Sequence, residues 1–313
     1  MEIQQLTFEK YKEIFNNPYH AFNSANFAKH NEGKCEQLLF LGFFKDQKPR
    51  LGLVAGIRNG RLISPFSAPF GGFTFLKEEV KIGYLDESIA ALEVLAKEQG
   101  IQHINLVLPP DCYHGSFVAK QINSLNRANY RINFIDLNYQ FYTKDFTDNY
   151  LNEIWYNAKK NFNRSIKNEL FFQKQDSLEG KKLVYDVVAQ NRASRGFPLR
   201  MTWDQVWSTT EIIPADFFLV TNANQLAIAS AVIFHVAINV VQVIYWGDLP
   251  EFAEFKTMNF LSYSVFNYYK AQKIEIVDIG PSTENGIPNF GLCEFKESIG
   301  CKISPKLSFD KSI

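Results

Sequence analysis

Ile274–Gly300, IEIVDIGPSTENGIPNFGLCEFKESIG, is the stretch whose reading decides the fold. Its first residues, Ile274–Asp278, have the β-branched, apolar character of a buried strand. Gly280-Pro281 breaks that strand, and a polar loop with Asn285-Gly286 and Pro288 follows. Asn289 is a candidate N-cap for a short helix beginning at Phe290. At about 100° per residue Leu292, Phe295 and Ile299 share one helix face, and Lys296 falls inside the same arc. A lysine there either snorkels to the surface or points into a cleft.

Working outward, Thr257–Ala271 reads as an amphipathic helix with Met258, Leu261, Val265, Phe266 and Tyr269 on one side. Before it, Leu226–Trp246 is long and apolar enough to suggest a membrane span, but His235, Asn239 and Gln242 interrupt it. Two strands, Leu226–Val236 and Val240–Trp246, fit better, and with Asp216–Val220 they make a meander. Lys302–Phe309 reads as a closing strand.

The first half gives the same order. Gln37–Phe44 and Leu51–Ile57 read as strands joined by a turn at Lys45–Pro49. Asn59-Gly60 signals a hairpin into a third strand, Arg61–Phe66. A helix at Leu85–Gln99 stops at Gly100, and His103–Leu108 (strand), Gly115–Leu125 (helix) and Tyr130–Leu137 (strand) follow. Equivalent positions, Ile104 with Ile276 and Ile132 with Ile303, lie about 170 residues apart. Two copies of one β-β-β-α-β-α-β unit are expected.

Between the copies the sequence turns helical. Asn149–Lys167 places Leu151, Ile154, Trp155, Ala158 and Phe162 on one face and carries the densest basic cluster of the chain, Lys159, Lys160, Arg164 and Lys167. Such a cluster is either a solvated face or a contact for an anionic substrate. Helices at Ser177–Arg195, ended by Gly196, and at Thr202–Ile212, capped by Thr202, complete this region. The expected fold is α/β with mixed sheets: an N-terminal domain over 1–145, a helical insert over 146–200 and a C-terminal domain over 201–313.

Composition narrows function. The 313 residues carry 33 basic and 33 acidic side chains, a balance that argues against a surface built to hold nucleic acid, so DNA is not an expected partner. The four cysteines form no CxxC or CxxH pair and the five histidines no ligand spacing, so no metal is expected. The scattered cysteines, and an opening MEIQQLTFEK without a basic n-region before an apolar core, point to the cytoplasm. No Gly-x-Ser-x-Gly elbow surrounds Ser64 or Ser67, which argues against a serine hydrolase.

A meander followed by helix, strand, helix and strand, twice over, resembles a tandem GNAT (acyl-CoA N-acyltransferase) fold. The strand ending Asp278-Ile279-Gly280, then Gly291-Leu292, Phe295-Lys296 and Gly300, resembles the closing motif of the Fem aminoacyltransferases, which build peptidoglycan cross-bridges. Lys159–Asn168, KKNFNRSIKN, is similar to that family's basic, arginine-containing helix. The resemblance implies transfer of an acyl or aminoacyl group to a primary amine. It also implies a role for Lys296 in stabilising the oxyanion, with Phe295 shaping the pocket. Asp278, or a water it holds, is the candidate for activating the amine. Lys160, Arg164, Lys167, Tyr245, Trp246, Asn289 and Gly291 complete the expected substrate-binding set.

The sequence departs from acetyl-CoA enzymes where they hold the pyrophosphate. Gly247–Lys256 carries Asp248, Glu251 and Glu254 in place of a glycine-rich amide loop. No cofactor is firmly implied; acyl-CoA and an acyl carrier protein stay open as donors, and aminoacyl-tRNA is possible but not supported by the zero net charge. The acceptor expected is a small-molecule or cell-wall precursor amine. A second tandem GNAT activity on another amine, and a binding protein on a GNAT scaffold, are the alternatives.

Overall fold

In the computed structural model, which describes residues 1–313, the chain divides into two units. The first comprises Met1–Leu137, Asn285–Ile287 and Ser304–Ile313, and the second Asn138–Glu284 and Pro288–Ile303.

The first unit begins with β1 (Glu2–Gln5), α1 (Phe8–Ile14) and α2 (Ala25–His30), the helices capped by Thr7 and Ser24. A meander follows: β2 (Gln37–Lys45), β3 (Lys48–Arg58) and β4 (Arg61–Ser64). Asp46 and Gln47, at φ 51° and 60°, make a two-residue left-handed turn, so the β2–β3 hairpin is tighter than the expected loop. Asn59-Gly60 turns as expected, at φ 50° and 67°. Then come β5 (Phe73–Phe75), α3 (Ile82–Glu98), β6 (His103–Val107) and α4 (Asp111–Arg127). The sheet is completed by β4 running parallel to β6, with Leu62 opposite Ile104. Leu39, Leu41, Leu53, Leu85, Leu92, Ile104 and Leu106 form the core between this sheet and its helices.

β7 (Arg131–Tyr142) leads into α5 (Tyr150–Glu153) and α6 (Tyr156–Ser165). The single helix expected over Asn149–Lys167 is therefore two, because Ile154 and Trp155 are extended, at ψ 167° and 146°. β8 (Phe171–Lys174) is a short edge strand with no counterpart in the sequence reading. α7 (Leu178–Ser194) is capped by Ser177, and α8 (Trp203–Thr209) by a reciprocal Thr202/Gln205 capping box. β9 (Ala215–Thr221), β10 (Ala227–Ala237) and β11 (Val240–Asp248) form the second meander. β10 and β11 pair antiparallel, and no helix of the protein is long and apolar enough to cross a membrane.

α9 (Thr257–Ala271) buries Leu261, Val265, Phe266 and Tyr269, and Phe266 stacks on Phe141 at 3.9 Å. β12 (Ile276–Pro281) runs parallel to β11 with Ile276 opposite Val240, so it repeats the position of β6 in the first unit. Two two-residue strands, β13 (Thr283–Glu284) and β14 (Ile287–Pro288), precede α10 (Phe290–Ser298) and β15 (Lys302–Ser312). In the second unit the antiparallel neighbour of β12 is β7, through Asn138–Tyr142. In the first unit the antiparallel neighbour of β6 is β15, through Ser308–Ser312. Each parallel pair is thus bordered by the closing strand of the other half of the sequence.

A four-element polar knot ties β8, β9 and β10 to α9. Asp216 of β9 receives the Tyr269 hydroxyl at 2.9 Å, contacts His235 Nε2 at 2.7 Å and pairs with Lys174 Nζ at 2.6 Å. Burial alone would raise the Asp216 carboxyl, but hydrogen bonds from His235, Lys174 and Tyr269 bring it down to about 2. A depressed carboxylate contributes stability that is complete above its unfolded value and fades as pH falls towards its folded value. The stability difference between wild type and Asp216→Asn should therefore shrink between about pH 5 and pH 2 in urea titrations. A pH-independent difference would show that the ionised state of Asp216 contributes nothing.

Candidate active site

The β12–α10 segment puts its lysine inside the protein. Asn289 caps α10 by accepting from the Leu292 amide at 3.1 Å, as the sequence implied. The buried face differs from the expected one. Leu292 is 42% exposed, whereas Cys293, Lys296 and Ile299 are buried and Lys296 is only 4% exposed. Lys296 therefore does not snorkel. Its ammonium donates to the backbone carbonyls of Ile279, Gly280 and Pro281 at 2.8, 2.8 and 3.1 Å, which uses all three protons. Nζ also lies 5.3 Å from the centroid of the Tyr139 ring. Burial pushes Lys296 down to about 8, opposed by the nearby Cys301, Asp278 and Cys293.

The carbonyls converge because the strand turns sharply at Gly280, whose φ of +69° is the left-handed region that only glycine enters cheaply. Gly280 is buried, yet a Cβ built on it would meet no atom within 4 Å. Open space therefore borders the backbone that Lys296 holds. Gly291, in the first turn of α10, is equally uncrowded, with the Asn289 oxygen at 3.7 Å as its nearest contact. Neither glycine is required by close packing.

Asp278, fully buried, holds the same turn from the other side. Its Oδ1 accepts from Asn138 Nδ2 and the Gly280 amide, both at 2.8 Å, and its Oδ2 accepts from Gln242 Nε2 at 2.7 Å. Those donors give Asp278 the geometry of a positioning residue. Tyr139, beneath Lys296, donates its hydroxyl to Glu297 at 2.9 Å.

The aromatic residues separate into two roles. Trp246 meets Phe295 edge to face, ring centroids 6.3 Å apart, both half-buried. Tyr245 is buried and fixed by the Met201 amide, which donates to its hydroxyl at 3.1 Å. Over its ring, 5.6 Å from the centroid, stands the Arg192 guanidinium.

Lys160 and Arg164 of α6, and Lys167 just beyond it, are all exposed, while Ala158, Phe162 and Ser165 form the buried side. None of the three basic residues has a carboxylate partner. The segment before α9, where acetyl-CoA enzymes hold pyrophosphate, carries Glu251 and Glu254 on its surface and Lys256 in a left-handed N-cap position. No group of histidine, cysteine and acidic residues could hold a metal ion.

No family model matches the sequence, and no curated protein matches it. Solved structures do. The crystal structure of FemX aligns with a TM-score of 0.72 at 12% identity, covering 100% of this chain and 98% of that one. L-PGS from Bacillus licheniformis aligns at 0.60 with 12% identity, over 98% and 92% of the two chains. A tandem GNAT protein from the clavulanic acid biosynthesis pathway aligns at 0.52 with 8% identity, over 88% and 83%. The chain has a GNAT-like tandem fold that resembles the fold of FemX.

Proposed function

We propose that this protein is an N-acyltransferase that moves an acyl or aminoacyl group from an ester or thioester donor to a primary amine. The observation that carries this reading is the buried Lys296 ammonium, clamped on three carbonyls beside the open space at Gly280. The amine attacks the donor carbonyl, a C–N bond forms, and the C–O or C–S bond breaks. The leaving oxygen or sulfur takes up the proton that the amine gives up. Negative charge builds on the former carbonyl oxygen, and a fixed cation in a water-poor site stabilises it. Of the three bonds to Lys296, the one to Pro281 is the longest and the easiest to exchange for that oxygen. Phe295 and Trp246 supply an apolar wall, Asp278 positions the turn, and Asn289 and Gly291 border the entry.

Aminoacyl-tRNA is the donor the surface favours. Lys160, Arg164 and Lys167 offer unpaired charge to phosphates, whereas the segment before α9 offers glutamates to a pyrophosphate. The acceptor proposed, from the resemblance to the Fem family, is the amine of a cell-wall precursor. The direct experiment incubates the protein with radiolabelled aminoacyl-tRNA or acyl-CoA and a panel of amines. Amide-linked label from aminoacyl-tRNA is the expected result. Transfer from acyl-CoA alone would favour the second tandem GNAT activity, and tight binding without transfer would favour a binding protein. Arg164→Glu should raise KM for aminoacyl-tRNA about tenfold at low salt with little change in kcat. An unchanged KM would make the α6 cluster a solvated face.

A further inference from the structure

Three arginines follow one another from α7 towards α8, and two of them have acidic partners. Arg195 pairs with Asp248 at 3.0 Å, and Arg200 with Glu284 at 2.8 Å on the surface. Arg192 is half-buried and has neither an ion pair nor a side-chain hydrogen bond, only the face of Tyr245. Burial, with Arg200 adding to it, lowers its pKa from the ordinary value. A guanidinium that gives up water without a carboxylate lowers the stability of the fold, so its position calls for a ligand.

The residues around Arg192 are themselves held in place. The neighbouring Asn191 donates to the Asp248 carbonyl at 2.6 Å, and Gly247 leaves the room for it, since a Cβ there would lie 2.5 Å from the Asn191 amide. Tyr245 is fixed at its hydroxyl by Met201. A guanidinium over a ring face, with no carboxylate partner, keeps its N–H groups available for an anion. The charge of Arg192 also reaches Lys296 and adds to the burial that lowers its pKa. Two cations thus serve one region, one clamped by carbonyls and one without an anion.

We propose that Arg192, over the face of Tyr245, is the subsite for an oxyanion of the substrate, a phosphate or a carboxylate carried near the group that reacts at Lys296. The identity of the molecule rests on the acyltransferase reading, but anion binding does not and is measured without turnover. Calorimetric titration of the whole protein with inorganic phosphate and with acetate at low ionic strength tests the subsite.

Saturable binding is expected, weakened at least about tenfold in Arg192→Met. Preference for phosphate or for acetate identifies the kind of oxyanion. Because the methionine keeps the packing on Tyr245 and removes an unpaired charge, Arg192→Met should also melt higher than wild type. Phosphate and acetate binding that is absent in wild type, or unchanged in Arg192→Met, would overturn the proposal. So would a lower melting temperature with binding intact, which would make Arg192 a packing residue.

Discussion

Lys296→Met should lose about 10²–10³ in kcat and also melt lower than wild type. The first effect follows from removing the cation proposed to stabilise the developing oxyanion. The second follows from the three carbonyls of Ile279, Gly280 and Pro281, which lose their donor together. A buried polar group without a partner costs about 1–3 kcal/mol, so three cost more than the roughly 3 kcal/mol recovered by no longer burying a charge. Stability should fall by a few kcal/mol. Activity per folded molecule, from turnover beside a thermal melt, separates the two. Lys296→Arg should not restore turnover, because a planar fork cannot donate to three carbonyls that converge on one nitrogen. Unchanged turnover in folded Lys296→Met would make the lysine an anchor of the β12 turn and nothing more.

Asp278→Ala should be among the most destabilising single changes in the second unit, by about 3–5 kcal/mol. It leaves the Asn138 and Gln242 amides and the Gly280 N–H without their acceptor in a fully buried site. Asp278→Asn is a different experiment. Gln242 Oε1 has no hydrogen-bond partner, so Gln242 can turn its amide to receive the new NH₂ group. Most of the stability should then survive, while Lys296 loses a negative charge that helps to keep it protonated. Chemical denaturation of both variants checks this order, and equal losses would contradict it.

The order of elements in the tandem fold was legible in the sequence because it depends on local patterns. Strand alternation, the Asn59-Gly60 turn and the Asn289 cap act over a few residues, and the structure contains each of them, whereas β12 runs on to Pro281 past the break expected at Gly280-Pro281. The burial of α10 was only half legible. The wheel gave Leu292 and Lys296 the same status, and tertiary contacts decided between them: the carbonyls freed by the Gly280 turn drew the lysine in and left Leu292 partly exposed. β1 and β8 were not visible because four-residue edge strands with mostly exposed side chains carry no hydrophobic alternation. The pairing of β7 with β12 and of β15 with β6 was beyond reach for another reason, since strand partnership is long-range and leaves no local signal. Arg192 escaped because a basic residue in the last turn of a helix is ordinary on dipole grounds, and only its lack of a partner sets it apart.

If the charged form of Lys296 carries the transfer, the pH dependence of kcat/KM shows it most directly. With Lys296 lowered to about 8 by burial, kcat/KM should rise as the acceptor amine loses its proton and then fall above about pH 8 as Lys296 loses its own. In Asp278→Asn the alkaline limb should move to lower pH, because the negative charge that favours the ammonium is gone. A wild-type profile that climbs to a plateau through about pH 10, or an alkaline limb at the same pH in both proteins, would contradict the claim.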